Sequence, residues 1–195
     1  MDKEEVLRHF REAGALLEGH FLLSSGLHSP KYLQCARVLS DPRRAEVLCR
    51  ALAAKVIERV GEGSVDMVVA PAMGGVIAGY ELARQLGVNG IFAERVDGDF
   101  RLRRGFTIPK GARVIIAEDI VTTGLSSREC INCVEAAGGK VVAVTCLIDR
   151  SGGRARPGVA LISLTELEIP TYESSAVPAD LARIPPQKPG SRDMV

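Results

Sequence analysis

The chain has 195 residues, of which 46% are hydrophobic, so we expect a single domain over 1–195 with a sizeable core. Its 25 basic and 24 acidic residues nearly cancel, a balance that argues against nucleic-acid binding. No stretch approaches the roughly 20 apolar residues that cross a bilayer, and the charged start MDKEEVLRHF lacks a signal-peptide core, so we expect a cytoplasmic protein without a membrane partner.

The first predicted elements are helices. Apolar residues at helical spacing predict one helix from Asp2 to Leu17. Asp41 followed by Pro42 predicts the start of another, which runs to Arg59. Between the two helices, turn-forming residues in 19–35 indicate irregular chain with short strands.

Strands and helices alternate in the rest of the chain. The predicted strands share continuous runs of valine, isoleucine and alanine, and they cover 65–70, 89–95, 112–119, 140–149 and 159–167. Helices are predicted from Val76 to Leu86 and from Arg128 to Ala137, a charged loop or hairpin over 96–106, and an extended tail over 184–195. Such strands are typical of an α/β fold in which helices cover both faces of a parallel, Rossmann-like sheet. Ligands of these sheets bind at the carboxyl ends of the strands.

One of these strand ends has an unusual composition. In VIIAEDIVTTGL, from Val114 to Leu125, an apolar strand ends at two adjacent carboxylates, which are followed by hydroxyls and a glycine. Backbone N–H groups at the start of the next helix favour a phosphate, and the hydroxyls can donate to the same anion. The carboxylates would repel a phosphate, so they suit ribose hydroxyls, a positive charge developing on a sugar carbon, or water ligands of Mg²⁺. The alternative is a capped turn with solvated acids.

The longer stretch VIIAEDIVTTGLSS resembles the phosphoribosyl pyrophosphate signature of the type I phosphoribosyltransferases. The family usually has aspartate where this chain has Glu118. The resemblance implies catalytic contacts to the ribose from Glu118 and Asp119. It also implies that the donor, 5-phosphoribosyl 1-diphosphate, is bound by Glu118, Asp119, Ile120, Val121, Thr122, Thr123, Gly124, Leu125 and Ser126. The implied fold has a core of about 42–165 and a small hood formed by 1–40 and 166–195.

Three further motifs are similar to those of the orotate phosphoribosyltransferases within that family. GHFLLSSGLHSPKYLQC resembles their N-terminal segment, APAMGG their pyrophosphate loop, and LIDRSGG a strand end at which Arg150 would bind the carboxylate of orotate. The resemblance also places Thr122 at orotate. It implies transfer of ribose 5-phosphate to orotate, which gives orotidine 5′-monophosphate and diphosphate in pyrimidine synthesis. It further implies Mg²⁺ held mainly by substrate without a claimed protein ligand, and a homodimer.

The chain departs from the family pattern at two places. Ser24 stands where many orotate enzymes have a lysine, and ERVDGDFRLRRGF replaces a mobile loop that contains lysine and histidine. We expect Arg95, and at least one of Arg103 and Arg104, to contact the pyrophosphate of the donor from the neighbouring subunit. A solvated hairpin is the alternative for this arginine cluster.

The donor signature alone is compatible with two other functions. A purine or uracil phosphoribosyltransferase would share EDIVTTG but not LLSSGLHSPKY, and a regulator of the same fold would sense the donor without catalysis.

Five cysteines, an odd number, argue against a disulfide framework. The CxxC of Cys130 and Cys133 lies in a predicted helix without a second ligand pair, so we interpret both as ordinary core or surface residues. His9, His20 and His28 are too scattered along the chain to suggest a metal site.

Overall fold

The computed structural model describes residues 1–23 and 25–188, so Ser24 and the end of the expected tail, 189–195, lie outside the described residues. The helices are α1 (Lys3–Glu12), α2 (Cys35–Leu39), α3 (Pro42–Val60), α4 (Gly75–Leu86), α5 (Leu125–Ala136) and α6 (Ala179–Ala182). The strands are β1 (Leu16–Leu22), β2 (His28–Leu33), β3 (Met67–Pro71), β4 (Asn89–Val96), β5 (Asp99–Leu102), β6 (Arg113–Val121), β7 (Lys140–Asp149) and β8 (Leu161–Glu166).

The main sheet has the strand order β5-β4-β3-β6-β7-β8. All neighbours pair in parallel except β4 and β5, which form an antiparallel hairpin. The chain builds outward from β3 to β4 and β5, then crosses back to place β6 on the other side of β3. The direction of winding therefore reverses between β3 and β6, which opens a crevice at the carboxyl ends of these two strands.

Side chains that alternate along each strand build a core on both faces of the sheet. On β6, Ile115 packs in the cluster that contains Leu52 of α3 and Leu82 of α4. Its neighbour Ile116 packs in the opposite cluster, with Val134 of α5. The predicted parallel sheet with helices on both faces is confirmed, because burial on both sides requires the near-continuous apolar strands seen in the sequence.

The first helix is shorter than its pattern predicts. It ends at Glu12, because Gly14 adopts a left-handed conformation with φ of 60°. The N–H of Ala15 donates to the carbonyl of Phe10, 2.7 Å away, which closes a Schellman-type end. The prediction that this helix reaches Leu17 is therefore wrong, and Leu16 and Leu17 belong to β1.

The charged stretch after β4 folds back as a hairpin, the second of the two forms expected for it. Asp97 and Gly98 form its two-residue turn with φ values of 53° and 94°. Two consecutive left-handed residues match the twist of the flanking strands, and Asp-Gly is a preferred pair for such a turn. We call residues 89–104 the arm; they comprise β4, this turn, β5 and the two residues that follow β5.

The N-terminal hairpin of β1 and β2 joins the C-terminal segment, as a hood formed by both chain ends requires. The backbones of His28 and Tyr172 exchange two hydrogen bonds of 2.8 and 2.9 Å. His20 and His28, which the sequence left scattered, lie side by side with 2.6 Å between Nε2 and Nδ1, and Nδ1 of His20 donates to the carbonyl of Ile184 at 2.7 Å. The exact boundaries of core and hood stay a prediction.

Candidate active site

A cleft of about 260 Å³ lies at the crevice between β3 and β6. It is lined by Pro71, Ala72, Gly74, Arg95, Phe100, Glu118, Asp119, Ile120, Thr122, Thr123, Gly124, Leu125, Ser126 and Ser127. Most residues of the predicted donor-binding stretch therefore border one cavity, together with the loop after β3 and one arginine of the arm. Val121 is buried in the core beneath it.

The turn from β6 into α5 has the form expected of an anion site. Gly124 precedes the helix in a left-handed conformation with φ of 76°, and no side chain caps the helix there. The Leu125 N–H is 3.3 Å from Oγ1 of Thr123, so this hydroxyl lies close to the start of α5. Backbone donors and hydroxyls at the positive end of a twelve-residue helix favour a phosphate.

The two carboxylates at the end of β6 are held differently. Oδ1 of Asp119 accepts the N–H of Ile120 at 2.8 Å, and Oε1 of Glu118 accepts the buried hydroxyl of Ser127 at 3.3 Å. Burial, reinforced by the neighbouring Asp119, raises the pKa of Glu118 to about 8. Burial likewise raises the pKa of Asp119 above its ordinary value. Positive charge that enters the cleft would therefore be stabilised strongly by this pair.

The raised pKa of Glu118 predicts a specific pH dependence of stability. The folded-state pKa lies above the ordinary value of 4.5, so the folded protein resists ionisation and loses stability as the pH rises from about 4.5 to about 8. Glu118→Gln cannot ionise at this position and does not lose this stability. The free energy of unfolding of the variant minus that of the unmodified protein should therefore increase across this pH window, by on the order of 3–5 kcal/mol. Urea denaturation at a series of pH values measures the difference. Glu135→Gln, on the exposed face of α5, is the control, and parallel curves for Glu118→Gln and the unmodified protein would contradict the prediction.

The loop after β3 packs tightly against the carboxylates. A Cβ on Gly74 would lie 3.0 Å from Oδ1 of Asp119, and one on Gly75 would lie 2.6 Å from the carbonyl oxygen of Ala117. The glycines predicted to form a pyrophosphate loop therefore let this backbone approach β6 more closely than any side chain would allow.

The arm arginines do not act alike. Arg95 lines the cleft, and its guanidinium lies 4.3 Å from the ring of Phe100. Arg104 makes two hydrogen bonds of 2.9 and 3.1 Å to Glu94, and Arg103 forms an ion pair with the same carboxylate at 4.0 Å. The structure thus brings only the first of the three predicted arginines to the cleft of its own chain.

Arg150 follows β7 directly, and its N–H donates to the carbonyl of Val121 at 2.8 Å. Its side-chain Nε is buried without a hydrogen-bond partner among the described residues, and burial lowers the pKa of its guanidinium. Tyr32 of β2 lies within electrostatic reach of both Arg150 and Asp119. A half-buried cation whose buried Nε makes no hydrogen bond to the described residues is ready for an incoming anion.

Sequence reasoning missed several residues around the carboxylates. Tyr32 and Cys35 come from the hood hairpin and the short helix after it, and the Cys35 thiol lies close enough to oppose the rise in the pKa of Asp119. Phe100 and Ser127 also border the cleft. Tyr32 and Cys35 lie within the motif GHFLLSSGLHSPKYLQC, but they are remote from β6 in sequence, so the motif did not show that they reach the carboxylates. Ser127 directly follows the signature, so a slightly longer motif would have included it.

Within residues 1–23 and 25–188, no group of three or more His, Cys, Asp or Glu side chains is arranged to hold a metal ion. All five cysteines are free, and Cys130 and Cys133 pack with the core on the α5 side of the sheet. None of the helices in the described part of the chain combines the length and the apolar character that a membrane span requires.

Comparison with known proteins agrees with this geometry. Residues 38–180 match the family model of the phosphoribosyl transferase domain. The chain is 56% identical to an orotate phosphoribosyltransferase of Phenylobacterium zucineum over 192 residues, 98% of both chains. It is 59% identical to one of Methylorubrum extorquens, over 98% of this chain and 97% of that one. Among solved structures, orotate phosphoribosyltransferase from Aeropyrum pernix matches with a TM-score of 0.67 and 30% identity, covering 83% of this chain and 93% of the other.

Proposed function

The chain belongs to the orotate phosphoribosyltransferase family, and from that premise we propose how its residues carry out the transfer. The enzyme joins N1 of orotate, which gives up its proton to solvent, to C1 of 5-phosphoribosyl 1-diphosphate. The bond from C1 to the diphosphate oxygen breaks, and its electron pair leaves with diphosphate. The product is orotidine 5′-monophosphate, an intermediate in the synthesis of pyrimidine nucleotides.

The observation that carries this assignment is the presence of opposite charges at the carboxyl ends of two adjacent strands. Glu118 and Asp119 lie near the carboxyl end of β6, and Arg150 follows the adjacent strand β7, with Tyr32 in electrostatic reach of Asp119 and Arg150. The carboxylates suit a sugar that becomes positive, whereas the guanidinium suits an anionic base. A base without a carboxylate would leave the buried Nε of Arg150 without an acceptor.

The donor would lie along the cleft from the α5 turn to the arm. We propose that its 5′-phosphate occupies the turn from Thr122 to Ser126, where backbone N–H groups and hydroxyls converge. The diphosphate would then lie between the loop containing Gly74 and the guanidinium of Arg95. This arrangement separates the 5′-phosphate of the donor from its diphosphate and leaves the ribose beside the carboxylates.

The carboxylates would stabilise the ribose during the transfer. Burial raises the pKa of both groups, so they are costly as anions in the empty cleft and respond strongly to an arriving cation. Loss of diphosphate makes the ribose oxocarbenium-like, and the positive charge favours the ionised form of both carboxyls. The interaction is therefore stronger in the transition state than in the ground state, which is the condition for catalysis.

We propose that Mg²⁺ accompanies the donor. The oxygens of Glu118 and Asp119 are hard donors of the kind Mg²⁺ accepts, directly or through water, so the cleft fits a metal held mainly by the substrate. When bound, Mg²⁺ would neutralise charge on the departing diphosphate.

The orotate carboxylate would bind Arg150 through two parallel hydrogen bonds, because a planar guanidinium matches a planar carboxylate. We propose that Thr122, which borders the cleft and directly follows the β6 residue paired with Asp149 of β7, also contacts the base. Both assignments rest on the position of these residues at the ends of the adjacent strands β6 and β7.

A panel of bases tests the assignment. Orotate absorbance should fall when the donor and Mg²⁺ are present, whereas adenine, hypoxanthine and uracil should remain unconsumed. Comparable turnover of uracil or a purine would contradict the assignment of orotate as the specific substrate. Binding of the donor without consumption of any base would instead support a donor-sensing regulator.

We propose that the enzyme is a homodimer that uses the outer face of α4. Large apolar side chains are exposed there at helical spacing: Met73 is 83% exposed, Ile77 46% and Tyr80 69%. This stripe begins in the loop that borders the cleft. A contiguous exposed apolar surface of this kind is typical of an interface between subunits. The cytoplasmic location stays a prediction from the sequence.

Subunit mixing tests whether the arm reaches across this dimer. Arg95 already lines the cleft of its own chain, so we propose that Arg103 or Arg104 is the residue that serves the partner. A chain with Arg103→Ala and Arg104→Ala, mixed with an Asp119→Asn chain, should regain about a quarter of full activity, since half of random dimers are mixed and each has one intact site. No recovery with verified mixed dimers would place the arm at its own site or at none. Tyr80→Asp in both chains is the control and should abolish the recovery.

A further inference from the structure

Arg95 is held in place from three sides. One of its Nη atoms forms a short ion pair with Glu129 of α5, and the other donates to the carbonyl of Gly98 at 2.5 Å. The ring of Phe100 lies beneath the guanidinium, 4.3 Å from its centre. While held in this way, Arg95 still lines the cleft. A guanidinium carries more N–H groups than these two partners use, so the cation keeps donors for an anion in the cleft.

Glu129 differs from the other two partners of Arg95 because it belongs to another element. Gly98 and Phe100 lie on the arm itself, whereas Glu129 lies one turn into the helix that starts at the phosphate turn. The ion pair therefore connects the arm to α5 across the mouth of the cleft. The charge of Arg95 also acts on the catalytic pair, since it helps to lower the pKa of Glu118 against the effect of burial.

The neighbouring arginines provide a contrast within the same arm. Arg103 and Arg104 pair with Glu94, which lies on β4 and thus on the arm itself. That ion pair fixes the arm internally and does not border the cleft. Among the ion pairs of the residues that the structure describes, only Arg95–Glu129 links the arm to α5 and holds a cation at the surface of the cavity.

We infer that Glu129 is a positioning residue for Arg95. Its carboxylate keeps the guanidinium oriented toward the cleft, so that the diphosphate of the donor meets a cation that is already in place. The inference rests on the proposed function for the identity of that anion. Orientation before binding improves affinity because less conformational freedom is lost when the ligand arrives.

Glu129→Gln tests the inference, because it keeps the shape of the side chain and removes its charge. The KM for the donor and the Kd for inorganic diphosphate with Mg²⁺ should rise about fivefold, while kcat and the KM for orotate stay within about twofold. In an Arg95→Ala background, Glu129→Gln should have no further effect, because it acts only through that arginine. Glu135→Gln, an exposed glutamate on the same helix, is the matched control and should leave all four constants unchanged.

Other results would overturn the inference. Unchanged diphosphate affinity in Glu129→Gln would show that the ion pair does not orient Arg95. Tighter binding would show that Glu129 competes with the ligand for the guanidinium. An equal loss in the presence and absence of Arg95 would show that Glu129 acts by another route. The direct titration with diphosphate separates this inference from the proposed function, which is tested by the panel of bases on the unmodified enzyme.

Discussion

Asp119→Asn should lower kcat by on the order of 100- to 1000-fold while donor affinity changes only a few-fold. The asparagine keeps a side-chain oxygen that can accept the N–H of Ile120, so the local backbone should be preserved. What is lost is the negative charge beside the ribose. That charge matters most when the bond to diphosphate breaks, so the transition state is affected far more than the ground state.

Steady-state kinetics and a donor titration together measure this separation. Asp180→Asn, at an exposed position of α6, is the control for a neutralised carboxylate outside the cleft. Unchanged kcat and unchanged affinity in Asp119→Asn would mean that the two acids are only solvated residues of a capped turn. A fall in affinity as large as the fall in kcat would place the charge in ground-state binding.

Arg150→Ala should raise the KM for orotate by roughly 10- to 150-fold, which corresponds to about 1.5–3 kcal/mol for hydrogen bonds to a charged group. Affinity for the donor should stay nearly intact, because the phosphate turn and Arg95 lie on other elements. Discrimination against uracil should weaken as well, because the variant lacks the guanidinium that binds the carboxylate of orotate. Kinetics with both bases and a donor titration measure these three effects.

The stability of the Arg150→Ala variant gives a second readout. Burial lowers the pKa of Arg150, and its Nε has no hydrogen-bond partner in the part of the chain that the structure describes. The charge of Arg150 therefore adds little to the stability of the empty enzyme. The melting temperature should therefore stay the same or rise while the KM for orotate worsens. The matched control is Arg154→Ala, because Arg154 is exposed and pairs with Glu168 at 2.9 Å. A large loss of stability in Arg150→Ala would assign this arginine a structural role instead.

Local patterns in the sequence determined most of the secondary structure. Asp41 and Pro42 mark the start of α3, and the runs of valine and isoleucine mark β3, β6 and β7. The order of acids, threonines and glycine at the end of β6 was enough to predict residues that line one cleft, because a strand, a tight turn and a helix start are neighbours in sequence. Gly14 is the exception, since a left-handed helix end overrides the apolar spacing that continues past it.

Contacts between distant segments were decided only by the tertiary structure. Gly74 lies against Asp119 because the chain crosses back to place β6 beside β3, and no local pattern encodes that reversal. The division of the arm arginines between Glu129 and Glu94 likewise depends on where α5 packs. Hydrophobic periodicity reports which face of an element is buried, but not which element covers it. The residues that turn the donor motif into a cleft therefore became visible only when the sheet was assembled.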